Sequence, residues 1–284
     1  MNNPRPEKIS FHYVQHFAIR SRPVSVIINM GQYWEFVNID KRLSSGHLGK
    51  LGEFFASRTS DELMYLLAIP AVPLKNPSTL RGVDVAGSWA GDRIICLGDY
   101  ADSWPDGVVS DGDFSQAASG VTSESEDATD RSPQTFTESC RTIRTVDYGY
   151  EKHVSYPTDR VWALRNISKE LYVRSDGVPT INGGENFTYE DHDGLEGFPN
   201  LGHVLLKNIL WSDDESTAMY FSDVRGAWAG DRIDIRLMDD VAEEMQEGGW
   251  VDISRREVTI LYDIFLEDRA VRGDLPEELQ TSFE

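Results

Sequence analysis

The stretch DVAGSWAGDRI at residues 84–94 returns as DVRGAWAGDRI at residues 223–233. Nine of the eleven positions are identical, and the match contains no gap. Because tryptophan is rare and stands at the centre of the run, chance is a poor explanation for the match. The repeat therefore predicts an internal duplication, and this duplication decides how the rest of the chain is interpreted.

A second match extends the repeat toward the N-terminus. YWEFVNIDK at residues 33–41 parallels VWALRNISK at residues 161–169, with Trp, Asn, Ile and Lys in register. A weaker match joins LGEFF at residues 51–55 to LGHVL at residues 201–205. Each copy is thus predicted to contain a strand that ends in Asn-Ile-x-Lys, an apolar segment that begins with Leu-Gly, a loop, and a strand entered through Trp-Ala-Gly-Asp-Arg-Ile.

Hydrophobic periodicity predicts the individual elements. Apolar and β-branched runs at residues 24–30 and 33–40 flank Gly31-Gln32, which predicts a hairpin. The apolar spacing within residues 51–69 predicts one helix or two short helices. Apolar runs predict three further strands, of which the second alternates apolar and charged residues as a half-exposed strand does: residues 92–98, 231–237 and 258–265.

From these elements we predict an α+β fold made of two related modules of antiparallel strands with short helices. The first module spans residues 1–107 and the second spans residues 151–284. Because neither module closes a sheet alone, we expect the two modules to share one core. The repeated motifs lie at residues 33–42, 50–55 and 84–100 in the first module, and at residues 161–170, 201–205 and 223–237 in the second.

An acidic segment rich in Ser and Thr separates the modules at residues 108–150. The stretch 101–139 contains nine acidic residues against one Arg and has few large apolar residues. Such a composition buries too little surface to offset the entropy lost on ordering, so a flexible linker or loop is expected. Ser123, Ser125 and Ser132 are candidate phosphorylation sites within it, although a solvated spacer is the favoured interpretation.

The net charge of −21 limits the classes of partner. Lys and Arg supply most of the affinity for nucleic-acid phosphates, so sequence-independent binding to DNA or RNA is disfavoured. Docking on an anionic membrane surface is disfavoured for the same reason. An acidic surface instead favours a protein partner with a basic surface.

The cysteines and the N-terminal residues predict an intracellular protein. Cys96 and Cys140 form neither a CxxC motif nor a Cys/His cluster, so no disulfide framework or zinc site is predicted. The first ten residues lack the pattern of a signal peptide, and no apolar run approaches the length that spans a bilayer. We therefore expect a soluble cytoplasmic protein, with the nucleus as the alternative compartment.

The repeated motif contains the candidate ligand or interaction residues. In a structural interpretation, the tryptophans fill core pockets and the aspartates accept hydrogen bonds at loop-to-strand junctions. The arginines then pair with those carboxylates or with the Asn-Ile-x-Lys strand. In a functional interpretation, the Asp-Arg pairs form a ligand clamp or an acid–base site between the modules. The six candidate residues are Trp89, Asp92, Arg93, Trp228, Asp231 and Arg232.

We favour the structural interpretation of these residues. A feature that both copies retain is explained more simply by a shared fold requirement than by two active sites. The sequence contains neither a Gly-x-Ser-x-Gly nor an HExxH motif, and the acidic segment 190–196 lacks the spacing of a calcium loop. No catalytic residue, metal site or cofactor is therefore predicted.

Three segments resemble a family of proteins from filamentous fungi. The family carries Asn-[Ile/Leu]-Asp-Lys-Arg, Lys-Leu-Gly-Glu and Gly-x-Trp-Ala-Gly-Asp-Arg-Ile-Ile-Cys-x-Gly-Asp-Tyr, which are residues 38–42, 50–53 and 87–100 here. Its second half resembles residues 164–174, followed by Trp-Ala-Gly as at residues 228–230. The family has no established activity, so the resemblance implies an origin but no catalytic residue, cofactor or partner.

These observations predict a non-catalytic binding or regulatory protein with an acidic surface. The alternative is an enzyme or a small-ligand-binding protein with a cleft between the two modules. In that alternative, the ligand would contact Asp92, Arg93, Asp231, Arg232 or the faces of the nearby Trp side chains.

Overall fold

We describe the fold from a computed structural model, in which residues 31–51, 59–70, 87–115, 130–143, 160–178, 200–214 and 224–266 are described. The first strand of the predicted hairpin, Ser123, Ser125 and the acidic segment 190–196 lie outside these residues. Within these residues, no helix is long and apolar enough to cross a membrane.

In these parts of the chain, eleven strands form one mixed sheet. They are β1 (Tyr33–Asn38), β2 (Leu43–Ser44), β3 (Gly49–Lys50), β4 (Ala68–Ile69), β5 (Asp92–Gly98), β6 (Arg141–Thr142), β7 (Trp162–Asn166), β8 (Leu171–Arg174), β9 (Leu210–Trp211), β10 (Arg232–Leu237) and β11 (Val251–Asp252). The strand order is β11-β8-β7-β10-β5-β1-β2-β6, while β3 pairs with β1, β4 with β10 and β9 with β5.

Short helices complete the fold and confirm the predicted α+β class. They are α1 (Thr59–Leu67), α2 (Asp111–Ser115), α3 (Pro133–Ser139), α4 (Leu201–Ile209), α5 (Met238–Glu247) and α6 (Ser254–Leu266), with a 3-10 helix at Ser175–Gly177. Helix α1 lies within the segment for which apolar spacing predicts a helix. Helix α4 begins with a capping box, in which Asn200 and His203 exchange backbone and side-chain hydrogen bonds.

The four longest strands, which the repeat predicts, form the centre of the sheet. Strand β1 pairs with β5 and strand β7 pairs with β10, both antiparallel. Strands β5 and β10 then pair with each other, with Arg93 opposite Arg232 and Asp92 opposite Ile233. The two strands that are entered through Trp-Ala-Gly-Asp-Arg-Ile therefore meet at the middle of the sheet.

Side chains alternate between the two faces of this sheet, as the pleat requires. The first face carries the main core, in which residues of both halves pack together, including Trp34, Phe36, Trp162 and Ile233. The opposite face carries two smaller clusters, one around Phe136 and one around Val241 and Met245. The expectation that both modules share one core is therefore confirmed.

Two short strands cross between the halves. Strand β4 follows α1 in the first half but pairs with β10 of the second half, in parallel. Strand β9 follows α4 in the second half but pairs with β5 of the first half, also in parallel. The sheet is therefore mixed: the long strands pair antiparallel, as predicted, whereas each of these helix–strand units adds a parallel strand beside β10 or β5 of the opposite half.

Residues 258–265 form part of helix α6 rather than the predicted strand. The run Val258-Thr259-Ile260 has strong β propensity, which suggested a strand. Buried positions nevertheless recur at Ile253, Glu257, Val258 and Leu261, with the three- to four-residue spacing of a helix. Packing of this face against the core overrides the local propensity.

Parts of the predicted flexible spacer are packed against the sheet. Phe136 is 1% exposed, and its ring lies 5.1 Å from that of Trp104 and 5.7 Å from that of Phe114. The prediction of a spacer is therefore wrong for residues 101–115 and 130–139. The average composition is polar, but the few aromatic side chains converge on one cluster. The module boundaries themselves stay predictions.

Strand β10 is more buried than its alternating charges suggest. Asp234 is 4% exposed and accepts two hydrogen bonds from Arg165, at 2.8 and 2.7 Å. The Arg165 guanidinium also lies 5.0 Å from the centre of the Trp250 ring. The prediction of a half-exposed strand is wrong, since a bidentate ion pair allows these charges to be buried.

Candidate functional site

The two copies of the repeated motif bond to each other reciprocally at the middle of the sheet. Gly91 N–H donates to the Ile233 carbonyl at 2.8 Å, and Gly230 N–H donates to the Ile94 carbonyl at 2.9 Å. Each glycine has positive φ, +83° for Gly91 and +80° for Gly230, a conformation that favours glycine. Equivalent residues therefore occupy equivalent positions on the two sides of the junction.

The aspartate of each motif binds the Asn and the Lys of its own half. Asn38 Nδ2 donates to Asp92 at 2.8 Å, and Lys41 Nζ lies 2.5 Å from the same carboxylate. In the second half, Asn166 Nδ2 donates to Asp231 at 2.8 Å, and Lys169 Nζ lies 2.5 Å from the same carboxylate. The Lys side chains also donate to the carbonyls of Ser88 and Ala227, respectively.

The turn after each Asn-Ile-x-Lys strand also recurs. Asn38 Oδ1 accepts from the Lys41 backbone N–H at 2.9 Å, and Asn166 Oδ1 accepts from the Lys169 N–H at 3.0 Å. The next residue in each turn has positive φ, +52° at Arg42 and +54° at Glu170. The equivalent bonds give a physical reason for the repeated residue types, while the duplication that would have produced them stays a prediction.

Trp89 and Trp228 fill the core, as the structural interpretation predicts. Each is 1% exposed. The Trp89 backbone N–H donates to the Leu66 carbonyl at 2.8 Å, and the Trp228 backbone N–H donates to the Asn208 carbonyl at 2.7 Å. The tryptophans therefore attach each motif to the helix of its own half, and neither ring presents a binding surface.

The arginines of the motif do not pair with the adjacent aspartates. Arg93 donates through Nε to Asp40 at 2.7 Å, through Nη2 to Asp113 at 2.7 Å, and through Nη1 to the Val108 carbonyl at 2.7 Å. Arg232 donates through Nη1 to Asp40 at 2.9 Å. Asp40, in the Asn-Ile-x-Lys segment, thus binds both arginines, as one of the alternatives in the structural interpretation predicts.

These ion pairs stabilise the charged forms of the carboxylates. Burial opposes ionisation of Asp113, but hydrogen bonds from Arg93 and Ser110 outweigh it and lower the pKa of Asp113 to about 2. Burial likewise opposes ionisation of Asp40, while the hydrogen bonds and charge of Arg93 and the charge of Arg232 lower the pKa of Asp40. Both groups are therefore carboxylates at neutral pH and suit ion pairing rather than proton transfer.

A separate cleft of about 620 Å³ lies between segments from both halves of the chain. Four carboxylates line it, and its lining among the described residues includes no Lys, Arg or His. Asp99 and Asp102 belong to the loop after β5, and Asp213 and Asp214 to the loop after β9. The full set of lining residues is Asp99, Tyr100, Asp102, Gln134, Asp213 and Asp214. We call this the acidic cleft. None of the six candidate residues of the repeated motif lines it.

Hydrogen bonds between the two loops fix the walls of the acidic cleft. Asp213 accepts from the Asp102 backbone N–H at 2.7 Å and from the Ser103 hydroxyl at 2.9 Å. Burial opposes ionisation of Asp213, but these bonds lower its pKa, so Asp213 is charged at neutral pH. Trp211 Nε1 donates to the Ser103 carbonyl at 2.7 Å. The second loop is thereby held against the first.

Reasoning from the sequence missed the acidic cleft. Asp99 and Asp102 are more than a hundred positions away from Asp213 and Asp214, and only Asp99 lies in a repeated segment, residues 84–100. The only signal was the general acidic excess, which does not say where charges converge. Across the described ranges, no group of three or more His, Cys, Asp or Glu side chains has an arrangement that could hold a metal ion.

Comparison with known proteins adds no further assignment. No family model, curated protein or solved structure matches this chain.

Proposed function

We propose that this chain is a non-catalytic binding protein that receives a basic segment of a partner protein in the acidic cleft. The observation that carries the proposal is the lining of four carboxylates around about 620 Å³, to which the described part of the chain contributes no basic residue. Cavities that bind ligands commonly have volumes of about 300–1,000 Å³. A Lys or Arg side chain is the protein group that would complement such a lining in both charge and size.

The charge of the whole molecule supports the same class of partner. The net charge of −21 attracts a cationic segment over distances longer than the contact itself and raises its association rate. Neutral or acidic segments gain nothing from this field. Discrimination between partners would therefore depend on charge.

The carboxylates of the cleft are already held or exposed before a ligand binds, which supports a recognition site. Asp213 is held by Asp102 N–H and Ser103, so little freedom is lost when a ligand contacts the Asp213 carboxylate. The Asp102 side chain is exposed, and its carboxylate accepts no hydrogen bond from the described residues. It is available to an incoming ammonium or guanidinium group.

The alternative function, in which the Asp-Arg pairs contact a ligand, has less support. Asp92 and Asp231 are occupied by Asn and Lys side chains of their own halves, and Arg93 is occupied by two aspartates. A ligand at these groups would have to displace bonds that hold the centre of the sheet together. A ligand that contacts Asp102 in the acidic cleft displaces none of these bonds at the centre of the sheet.

The proposal is tested with a fluorescein-labelled peptide of alternating Lys and Gly, and with a Glu-Gly peptide of the same length. Fluorescence anisotropy should show binding of the Lys peptide only, and the affinity should fall as salt is raised. The double variant Asp102→Asn/Asp214→Asn should weaken binding about two- to thirtyfold, since two partly exposed ion pairs of about 0.2–1 kcal/mol each contribute about 0.4–2 kcal/mol.

The matched control is Glu243→Gln/Glu247→Gln, which removes the same charge from the exposed surface of α5. It should change the affinity by less than about twofold, because its charges lie outside the cleft. Equal weakening by the two double variants would mean that the Lys peptide binds the general acidic surface. Absence of binding to the unaltered protein would refute the proposal directly.

A further inference from the structure

Asp40 and Ser168 occupy equivalent positions in the two halves. Each is the third residue of Asn-Ile-x-Lys, and the flanking Asn and Lys side chains make the same bonds in both copies. The Asp40 carboxylate accepts from the Arg93 backbone N–H at 3.0 Å, and the Ser168 hydroxyl accepts from the Arg232 backbone N–H at 2.9 Å. The serine thus stands where the first half has an acidic group.

The two arginines differ because of this exchange. In the first half, Asp40 also accepts from Arg93 Nε at 2.7 Å, and all three nitrogens of that guanidinium are bonded. In the second half, Ser168 is too short to provide the equivalent acceptor. Arg232 uses only Nη1, toward Asp40 and the Gly91 carbonyl, and is 47% exposed. Its Nε and Nη2 have no partner among the described residues.

The two arginines also differ in the number of their acidic partners. Arg93 and Arg232 lie directly opposite each other in the β5·β10 pair, an arrangement that is destabilising for like charges. Asp40 is the acidic group that they share, while Asp113 neutralises Arg93 alone. A second anionic group beside Ser168 would give Arg232 the partner that Arg93 already has.

We propose that Ser168 is a phosphorylation site whose phosphate binds the Arg232 guanidinium through Nε and Nη2. Ser168 is exposed in the turn after β7, so a protein kinase can reach its hydroxyl. A phosphoserine carries about −1.5 to −2 charges and three acceptor oxygens, which suits the unpaired edge of a guanidinium. Phosphorylated Ser168 would thus pair with Arg232 in the second half as Asp40 pairs with Arg93 in the first half.

The modification follows ordinary phosphoryl transfer. A kinase binds ATP, and the Ser168 Oγ attacks the γ-phosphorus, forming the Oγ–P bond. The bond from that phosphorus to the β,γ-bridging oxygen breaks, and ADP leaves with its electron pair. The hydroxyl proton passes to the catalytic base of the kinase. The product is phosphoserine at position 168, next to Arg232.

The test uses the full chain carrying phosphoserine at position 168, made by incorporation at a reassigned codon. The phosphate should raise Tm by about 2–4 °C over the unmodified protein, which corresponds to about 1 kcal/mol for a chain of this size. Phosphorus NMR should give a second phosphate pKa below about 6, since the cationic guanidinium favours the dianion. Both effects should disappear when the same residue is placed in the Arg232→Gln protein.

One charged and one neutral substitution of Ser168 provide an independent test of the contact. Ser168→Asp should raise Tm relative to Ser168→Asn, which has the same shape without the charge. The difference should vanish in the Arg232→Gln background. Equal Tm values for Asp and Asn in the unaltered background, or an equal difference in both backgrounds, would overturn the proposed contact with Arg232.

Two further measurements distinguish a modification from a free anion. Mass spectrometry of the protein isolated from its native cells should find phosphate on Ser168, and its complete absence under all growth conditions overturns the proposal. Millimolar inorganic phosphate should leave the Tm of the unmodified protein unchanged. An equal rise in Tm with free phosphate would assign Arg232 to a free anion instead.

Discussion

At the scale of single residues, Gly226 shows why the repeated motif contains its glycines. A Cβ atom at Gly226 would lie 2.2 Å from the Asn208 carbonyl oxygen and 2.4 Å from its carbon. In the first half, a Cβ at Gly87 would lie 2.7 Å from the Ala68 carbonyl oxygen. Each motif therefore needs glycine where its turn passes close to the backbone of a helix–strand junction.

Replacing Gly226→Ala should destabilise the protein by about 1–3 kcal/mol, because the backbone of helix α4 must move to admit the methyl group. Urea denaturation followed by tryptophan fluorescence measures this change. Gly112→Ala is the matched control, since the nearest atom to its added Cβ is Ser110 Oγ at 3.6 Å. If the two variants unfold at the same urea concentration, the close approach at Gly226 is not what requires glycine.

The sequence predicted the roles of single residues where the repeat singled them out. Trp89 and Trp228 were expected in the core because large aromatic side chains recurred at one position. Asp113 was not expected to bind Arg93, because it lies in a stretch with no equivalent in the other half. Repetition identifies what both halves need, but it carries no information about a contact made once.

At the scale of elements, a buried carboxylate joins helices α4 and α6. Glu257 is 1% exposed; its Oε2 accepts from Lys207 Nζ at 2.5 Å and from Asn208 Nδ2 at 2.8 Å. Burial opposes its ionisation, but the charge and hydrogen bond of Lys207 lower the pKa of Glu257. The pair therefore fixes how the two helices pack.

Glu257→Leu alone should cost about 3–5 kcal/mol, because Lys207 would keep its charge in a mostly buried position without a partner. The double variant Glu257→Leu/Lys207→Leu should recover much of that loss, since no unpaired charge remains buried; Arg256, which also pairs with Glu257, is 57% exposed. Chemical denaturation of both singles and the double gives the coupling. Strictly additive losses would show that the pair does not act as a unit, and exposed Glu243→Gln provides a baseline near zero.

Elements were predictable where periodicity and propensity agreed. Strands β1, β5, β7 and β10 combine β-branched or aromatic residues with burial on the sheet. Helix α6 was missed because the run Val258-Thr259-Ile260 favours a strand locally, whereas its burial repeats every three or four residues. The decisive information was the surface that the segment packs against, which lies far away in sequence.

At the scale of the whole molecule, the crossing strands β4 and β9 make the two halves dependent on each other. Strand β10 is hydrogen-bonded to β4 and strand β5 to β9, in each case a short strand from the opposite half. The main core also combines residues of both. Because neither half keeps its sheet without the other, the described residues from both halves should unfold as one cooperative unit.

Hydrogen exchange of the full chain measures this cooperativity. Gly226→Ala lies in the second half, but it should lower the protection of amides in β1 by the same factor as those in β7. Gly112→Ala should leave both sets unchanged. Loss of protection confined to β7 and its neighbours would mean that the halves open independently.

The acidic cleft belongs to this largest scale and for that reason escaped prediction. The composition predicted a basic partner, but the position of the cleft depends on the loop after β5 meeting the loop after β9 through Asp213. That meeting follows from the pairing of β9 with β5. Without the pairing, Asp102 and Asp213 are two surface acids among many.

The crossing of β4 and β9 also has a consequence during synthesis on the ribosome. The chain emerges from its N-terminus, so β5 is complete long before its neighbours β9 and β10 exist. Until then, one whole edge of β5 is unpaired, and such an edge attracts other strands. The sheet around β5 is therefore completed only after residue 237, the last residue of β10, has been synthesised.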